Sequence, residues 1–337
     1  MTATMLAGRL NVATRDFQVA EVPVPEPGPG EVRVKVEAAG VCLSDVHLID
    51  GSLRPLYLKG DTVTLGHETA GTVERLGAGV TAWKPGDRVM LAAGEERGGV
   101  VYTRGVDYDG GWAEFAVAAA DTLLAIPDDL PFEQAAIIPD AVSTPWAAIT
   151  TTGQAAAGRP AAVWGVGGLG AHAVQLLRVI GAAPIIAIDP LEAARDRALD
   201  FGADVAVDSA ADDAVQRIRE ASGGAGVDVA FDFAGVAPVR EQAAKCLGPK
   251  GRMVLVGLTN KPLTISDGTA FSYFQQQIRG HYGSEFTDLA ELLALVRGHR
   301  VEFSRSISGV LPLADAPKAV ERLVNKEGNP IRLVLKP

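Results

Sequence analysis

The sequence predicts an α/β protein of two parts, a doubly wound parallel-sheet domain and a mostly antiparallel β domain, and three observations carry that prediction. The first is length: 337 residues, 47% of them hydrophobic, give about two domains, each with a core of its own. The second is texture. From residue 17 to about 125, short β-like runs are split by Gly and Pro, as in FQVAEVPVP, EVRVKVEAAGV, TVTLGHETAGTVERLG, DRVMLAA and WAEFAVAAA. Beyond residue 142 the runs AAVW, PIIAID, VAVD, VDVAFDFAG and RMVLVG alternate with helical stretches, the pattern of a parallel sheet with helices on both faces. The third is punctuation: EPGPGE and KPGDR put Pro and Gly where a chain reverses.

The expected boundaries are 1–142 for the β domain, 143–282 for the parallel-sheet domain and 283–337 for a tail returning to the first. Between the two textures, PFEQAAIIPDAVSTPWAAITTT reads as helix-compatible. The tail carries two helix-like stretches, TDLAELLALVRG and DAPKAVERLVN, and a closing strand, IRLVLK.

Charge narrows the partners. There are 41 Asp plus Glu against 31 Lys plus Arg, a formal charge of −10 with no dense basic block, which speaks against nucleic acid and against an anionic membrane surface. No apolar run approaches the roughly 20 residues of a bilayer span, and the N-terminus lacks the pattern of a secretion signal. The chain is therefore expected in the cytoplasm, with its two cysteines, Cys42 and Cys246, reduced.

After AAVW comes Gly165-Val166-Gly167-Gly168-Leu169-Gly170, opening a helix. In such a turn Gly165 permits the tight bend, Gly167 lets the backbone approach a pyrophosphate, and Gly170 allows helix and strand to pack closely. Nineteen residues beyond Gly170, Asp189 ends the next strand, where a carboxylate accepts hydrogen bonds from an adenosine ribose and repels a 2′-phosphate. Strand, turn, helix, strand and acid in this order make a dinucleotide-binding (Rossmann) fingerprint and favour NAD(H) over NADP(H). Phe233, Ala234, Val256 and Gly257 sit at the ends of later predicted strands, where this fold class forms its ligand crevice.

In the β domain, Cys42 in VCLSDVHLIDG precedes His67 in LGHE by 25 residues. A lone cysteine is usually a small buried hydrophobe and a lone histidine a satisfied one. A catalytic zinc, however, needs three ligands drawn from Cys, His and carboxylates, with a fourth position open.

These residues carry a resemblance. GVCLSDVH, GHETAGTVERLGAGVTAWKPGDRV and VWGVGGLGAHAVQLLRVIGA resemble, in order, the two ligand motifs and the cofactor fingerprint of the zinc-dependent alcohol dehydrogenases of the medium-chain dehydrogenase/reductase superfamily, over residue 17 to the C-terminus. The resemblance implies a GroES-like catalytic domain and one catalytic zinc held by Cys42, His67 and, in IIPDAVSTPWAAI, Asp140. It implies that Glu68 can approach the metal, that Asp45 orients His67, and that Ser44 and His47 relay the proton by way of the nicotinamide ribose. It also gives Arg332 a reach to the pyrophosphate. The cysteine cluster that binds a structural zinc in many members is missing from MLAAGEERGGVVYTRGVDYDGGWAEF, so no structural zinc is expected.

The activity implied is reversible hydride transfer between an alcohol or carbonyl compound, secondary or bulky, and NAD, by a homodimer or homotetramer. A zinc-free quinone or enone reductase of the same superfamily and a non-catalytic NAD-binding sensor are the alternatives. The substrate pocket is expected around Leu43, Gly51 to Leu58, Gly94 to Asp109 and the 270s, with Trp83, Tyr102, Tyr108, Trp112, Trp146 and Tyr273 as aromatic candidates. His172, His281, His299 and Cys246 are read as structural.

Overall fold

A computed structural model describes residues 3–337, which form two compact units. The first comprises residues up to Ala141 together with Leu289–Pro337; the second is Val142–Asp288. The second unit extends past residue 282 because its last strand, Gln277–Gly280, is followed by residues that bond back within it. His281 meets Thr152 Oγ1 at 2.8 Å through Nδ1 and the Thr144 carbonyl at 3.1 Å through Nε2, and Ser284 donates to Ser143 Oγ at 2.8 Å.

The first unit is built on a seven-stranded sheet whose central strand is Glu31–Val41. That strand pairs antiparallel with Thr69–Leu76, Phe115–Ala119 and the C-terminal strand Arg332–Lys336. Its V-x-V-x-V alternation gives way to the small residues Ala38-Ala39-Gly40, so partners crowd both of its faces. The N-terminal strand Thr4–Asn11, which sequence texture did not reveal, pairs with Asp16–Pro23 and Thr62–Thr64 in a smaller sheet. Leu10, Val34, Val36, Leu48, Leu65, Trp112 and Leu333 share the core. Leu333 draws the tail into that core, and it faces Val41, next to Cys42, in the register.

In the second unit six parallel strands lie in the order Val205–Val207, Ile185–Ile188, Ala161–Trp164, Val227–Asp232, Leu247–Leu255 and Gln277–Gly280. This is the third, second, first, fourth, fifth, sixth sequence of a doubly wound sheet, whose order reverses at the first strand. Ala161–Trp164 and Ile185–Ile188 are buried throughout, as central strands covered on both faces must be. Among the described residues no helix is long and apolar enough to cross a membrane.

The stretch 132–152, expected as helix, alternates α-turns with π-turns at Ile138–Val142 and Ala148–Thr152. Pro139 and Pro145 explain the departure, since neither can donate the backbone hydrogen bond an α-helix needs at its position. The first π-turn carries Asp140.

Candidate metal centre and nucleotide crevice

Cys42 is the N-cap of the helix Leu43–Asp50, which follows directly on the central strand. Asp45, three residues on and fully buried, accepts the Cys42 backbone N–H at 2.9 Å through Oδ2. Its other oxygen, Oδ1, faces His67 Nδ1 at 3.6 Å. One carboxylate thus fixes the cap that carries the thiol and faces the ring of the imidazole, with its charge at the end of the helix that favours it.

Two glycines shape the pocket. Gly66 has φ +96°, a conformation that L side chains avoid, and a Cβ there would lie 2.3 Å from the ring of the buried Trp112. Gly40 sits against Glu68: a Cβ would come 1.9 Å from Glu68 Oε2. The glycines of AGVC and LGHE therefore admit a tryptophan and a carboxylate beside the two ligand candidates.

One ligand atom each from Cys42, His67, Glu68 and Asp140 lies within 4.8 Å of the others. Cys42 Sγ is 3.5 Å and His67 Nε2 is 3.4 Å from Asp140 Oδ2. Tetrahedral zinc, with bonds of about 2.0–2.3 Å, separates neighbouring ligand atoms by about 3.3–3.8 Å, so both of these separations suit ligands of one ion. Ser44 Oγ lies 3.3 Å from the same His67 Nε2. His47, one turn further along the helix, keeps 41% of its side chain exposed, with Nδ1 3.1 Å from Ser52 Oγ and 3.7 Å from Asp50 Oδ2.

The cluster is over-supplied with buried charge. Both oxygens of Glu68 are buried without a hydrogen bond. Burial pushes its pKa up to about 8, against the pull of Arg332. Burial also raises Asp45 above its ordinary value, although the imidazole opposes it. For His67 burial works against the imidazolium, but the carboxylates of Asp45 and Asp140 outweigh it and hold its pKa well above the usual value. Carboxylates short of hydrogen bonds around a thiol and an imidazole are what a dication would relieve.

Arg332 was expected to reach a pyrophosphate. Its guanidinium is buried, with Nη2 2.7 Å from Glu68 Oε1 and 3.5 Å from Asp140 Oδ2. The Glu68 contact is an ion pair, and Nε and Nη2 of the arginine make no hydrogen bond. Burial disfavours the arginine's charge, but Glu68, Cys42 and Asp140 more than offset this and raise its pKa. Arg332 thus belongs to the charge balance of the cluster, a place its sequence position did not suggest.

The lobe of residues 94–109 has its own bracing. Its hairpin pairs Gly94–Arg97 with Val100–Thr103. Arg97 grips Glu95 with two hydrogen bonds of 3.0 Å, and its Cζ lies 5.1 Å from the Tyr102 ring centroid and 4.8 Å from that of Tyr108. Arg104 covers Tyr108 at 5.1 Å, and Tyr57 packs against Tyr102 with ring centroids 4.9 Å apart and planes tilted by 44°. Asp107 accepts the backbone N–H groups of Leu56, Tyr57 and Thr103 at 3.1, 3.0 and 2.9 Å. Of the other aromatic candidates, Trp112 is core, Trp83 donates to the Ala120 carbonyl at 2.7 Å, and Tyr273 is 80% exposed.

In the second unit, Gly165 has φ +82° at the end of the first strand, and a Cβ there would lie 2.9 Å from Ala234 N. A Cβ on Gly170 would lie 1.9 Å from the Gly165 carbonyl oxygen, so helix and strand meet there as the fingerprint requires. At Gly167 a Cβ would meet nothing, which leaves its backbone open to a ligand. Gly168 and Leu169 precede the helix Gly170–Ile180, whose free N–H groups suit a phosphate. Asp189 accepts Val166 N and Leu191 N, both at 2.9 Å, so it also braces the turn. Phe233, Ala234, Val256 and Gly257 follow the fourth and fifth strands. His172 Nδ1 lies 2.8 Å from the Gly168 carbonyl, and Cys246 is buried, its thiol pushed up to about 12 by burial.

Comparison with known proteins agrees with both halves. Residues 28–128 match the alcohol dehydrogenase GroES-like domain family and residues 168–298 the zinc-binding dehydrogenase family. An alcohol dehydrogenase of Geobacillus stearothermophilus is 34% identical over 96% of both chains. The chain belongs to the zinc-type alcohol dehydrogenases of the medium-chain dehydrogenase/reductase superfamily. Within this superfamily it is also similar to the NDMA-dependent alcohol dehydrogenase of Amycolatopsis methanolica, at 31% identity over 98% of both chains. A protein of Sinorhizobium meliloti 1021 designated a zinc-binding dehydrogenase, solved with NADP, superposes with a TM-score of 0.91 at 27% identity over the whole of both chains.

Proposed function

We propose that this member of the superfamily is a zinc-dependent, NAD(H)-linked alcohol dehydrogenase and carbonyl reductase, acting on secondary or bulky alcohols as a cytoplasmic homo-oligomer. The observation that carries the proposal is the convergence of Cys42, His67 and Asp140 around one point, with Ser44 Oγ 3.3 Å from the His67 nitrogen that faces Asp140. The reaction is R2CHOH + NAD⁺ giving R2CO, NADH and a proton. Bound to these side chains, zinc would supply a Lewis acid for the alcohol oxygen, and NAD held by the glycine turn would supply the hydride acceptor.

The chain's own residues do the rest. Ionised Cys42 and Asp140 present two negative charges, enough to balance a dication without a surplus that would weaken it as a Lewis acid. Asp45 faces His67 Nδ1 and so favours the tautomer with its proton there, leaving the lone pair of Nε2 free for a metal. Ser44 takes the alcohol proton at Oγ and gives up its own hydroxyl proton, passing it on towards His47. His47, half-exposed and steadied by Ser52 and Asp50, delivers it to solvent. Secondary or bulky substrates are proposed on the ground that a lobe without the cysteine cluster, held by the packing of Arg97, Tyr102, Tyr108 and Tyr57, leaves the site more open.

Metal analysis of protein purified without added zinc, combined with NADH formation across a panel of primary and secondary alcohols, tests the reading. One zinc per chain and turnover of secondary alcohols are expected. Tight metal well below one per chain, or no reaction with any alcohol or carbonyl compound, would overturn it.

A further inference from the structure

Where the fourth and fifth strands of the parallel sheet end, two turns meet over a buried ion pair that takes no part in the chemistry above. Asp232, fully buried at the end of Val227–Asp232, accepts Ala234 N at 3.0 Å and Gly235 N at 2.9 Å through Oδ1. Its Oδ2 accepts Arg240 Nε at 2.8 Å. Arg240, on the helix Ala237–Cys246 and 6% exposed, donates from Nη2 to the Gly257 carbonyl at 2.7 Å. The turns touch backbone to backbone, since a Cβ on Gly257 would lie 2.4 Å from Gly235 N. Ala234 N in turn lies 2.9 Å from where a Cβ on Gly165 would stand, so the turns after the first, fourth and fifth strands are in contact.

A buried ion pair is often no more stabilising than a packed apolar pair, so its presence needs a reason. Here the reason is irregular backbone. Ala234, Gly235 and Gly257 lie outside the strands, Gly235 buried and Gly257 partly so, and a buried N–H or C=O without a partner costs about 1–3 kcal/mol. An apolar pair could satisfy none of them. The planar fork of Arg240 serves a carboxylate and a carbonyl at once, which the single ammonium of a lysine cannot do with the same geometry.

A doubly wound sheet binds the two halves of a dinucleotide on either side of its switch point. The adenosine half belongs to the glycine turn and Asp189, so the nicotinamide half falls to the turns after the fourth and fifth strands. We propose that Asp232 and Arg240 are positioning residues that hold the backbone floor for the nicotinamide half of the cofactor. The inference rests on the dinucleotide reading above. Neither side chain touches the cofactor; they act through residues 234, 235 and 257.

The test is the affinity of the full-length protein for NADH against ADP, which engages only the adenosine half, in Arg240→Lys and Gly257→Ala. The second variant pries the same turns apart while leaving the ion pair intact. Both should weaken NADH binding about tenfold or more, the worth of one charge-assisted hydrogen bond, and leave ADP within about twofold. KM for NAD should rise by a larger factor than kcat falls. If Arg240→Lys does not fold, Gly257→Ala decides alone. Unchanged NADH binding, or equal loss of NADH and ADP, overturns the proposal. Wild-type protein that binds ADP but neither NADH nor NADPH would instead overturn the dinucleotide reading, and this inference with it.

Discussion

In the first unit the candidate centre is made of side chains that titrate: a thiol, an imidazole, three carboxylates and a guanidinium, nearly all buried. In the second unit the crevice is made of bare backbone, glycine turns at the ends of parallel strands, with charge used mainly to hold those turns in place. The difference teaches how each should fail. Removing a ligand atom should cost metal and chemistry while dinucleotide binding survives, whereas adding a methyl group to the crevice should do the reverse.

The largest effect expected is from Cys42→Ala or Asp140→Asn. Either removes one of the three proposed ligands, so activity should fall by well over 100-fold, beyond the 10- to 100-fold typical of losing a residue that merely supports a ligand. Zinc content should drop while NADH affinity stays within about twofold of wild type. Retention of a full equivalent of zinc by either variant would remove that side chain from the ligand set.

Next comes Gly167→Ala. A Cβ at this position meets no protein atom and the backbone is not left-handed, so thermal stability should hardly change. The methyl group would instead occupy ligand space, and overpacking of about 1–3 kcal/mol corresponds to a loss of NADH affinity of roughly 5- to 150-fold. Zinc content should be untouched. A variant that binds NADH normally would show that the dinucleotide passes elsewhere.

A third contrast concerns pH. Asp45, Glu68 and His67 all have pKa values raised on folding, Glu68 from 4.5 to about 8. These three groups therefore hold more protons in the metal-free native state than in the unfolded chain, and the stability they contribute is greatest at low pH and is lost as pH rises through about 8. His281, in the other unit, is lowered by burial from 6.5 and contributes the opposite slope only below that value. Between pH 6.5 and 8 the chelated protein should thus become easier to unfold in urea, while zinc-loaded protein, whose ligands have already given up their protons, shows a flatter profile. Equal slopes with and without metal would mean that the cluster does not couple to the ion.

How much of this was legible beforehand follows from what each site is made of. The glycine turn is a local device, so Gly165 to Gly170 and Asp189 announce themselves by spacing within one strand-turn-helix unit. The proposed metal ligands are distant in sequence, and Cys42, His67 and Asp140 are assembled only by resemblance; no periodicity brings Asp140 to Cys42 Sγ. Arg332 and Glu68 form a long-range ion pair between a tail strand and a loop, for which the sequence held no signal. Asp232 and Arg240 left a faint one, an acid closing a strand with an arginine eight residues on in the next helix. The bracing of the lobe by Arg97, Tyr102 and Tyr108 was hidden for the same reason as the ligands, because stacking depends on how a hairpin folds over rather than on which residues adjoin.

The smallest effect expected, and the one that sharpens the comparison most, is at Asp189, where side-chain charge and backbone bracing coincide. Its two oxygens hold Val166 N and Leu191 N, so Asp189→Asn turns one accepted hydrogen bond into a donor facing a donor. That mismatch should cost about 1–3 kcal/mol of stability. Loss of the charge acts separately, by removing repulsion from a 2′-phosphate, and should narrow the preference for NADH over NADPH by roughly tenfold, about 1.4 kcal/mol. Measuring both affinities alongside the melting temperature divides the two roles. A lower melting temperature with an unchanged NADH to NADPH ratio would make Asp189 a brace for the glycine turn alone, and the proposed preference for NAD would then need another residue to carry it.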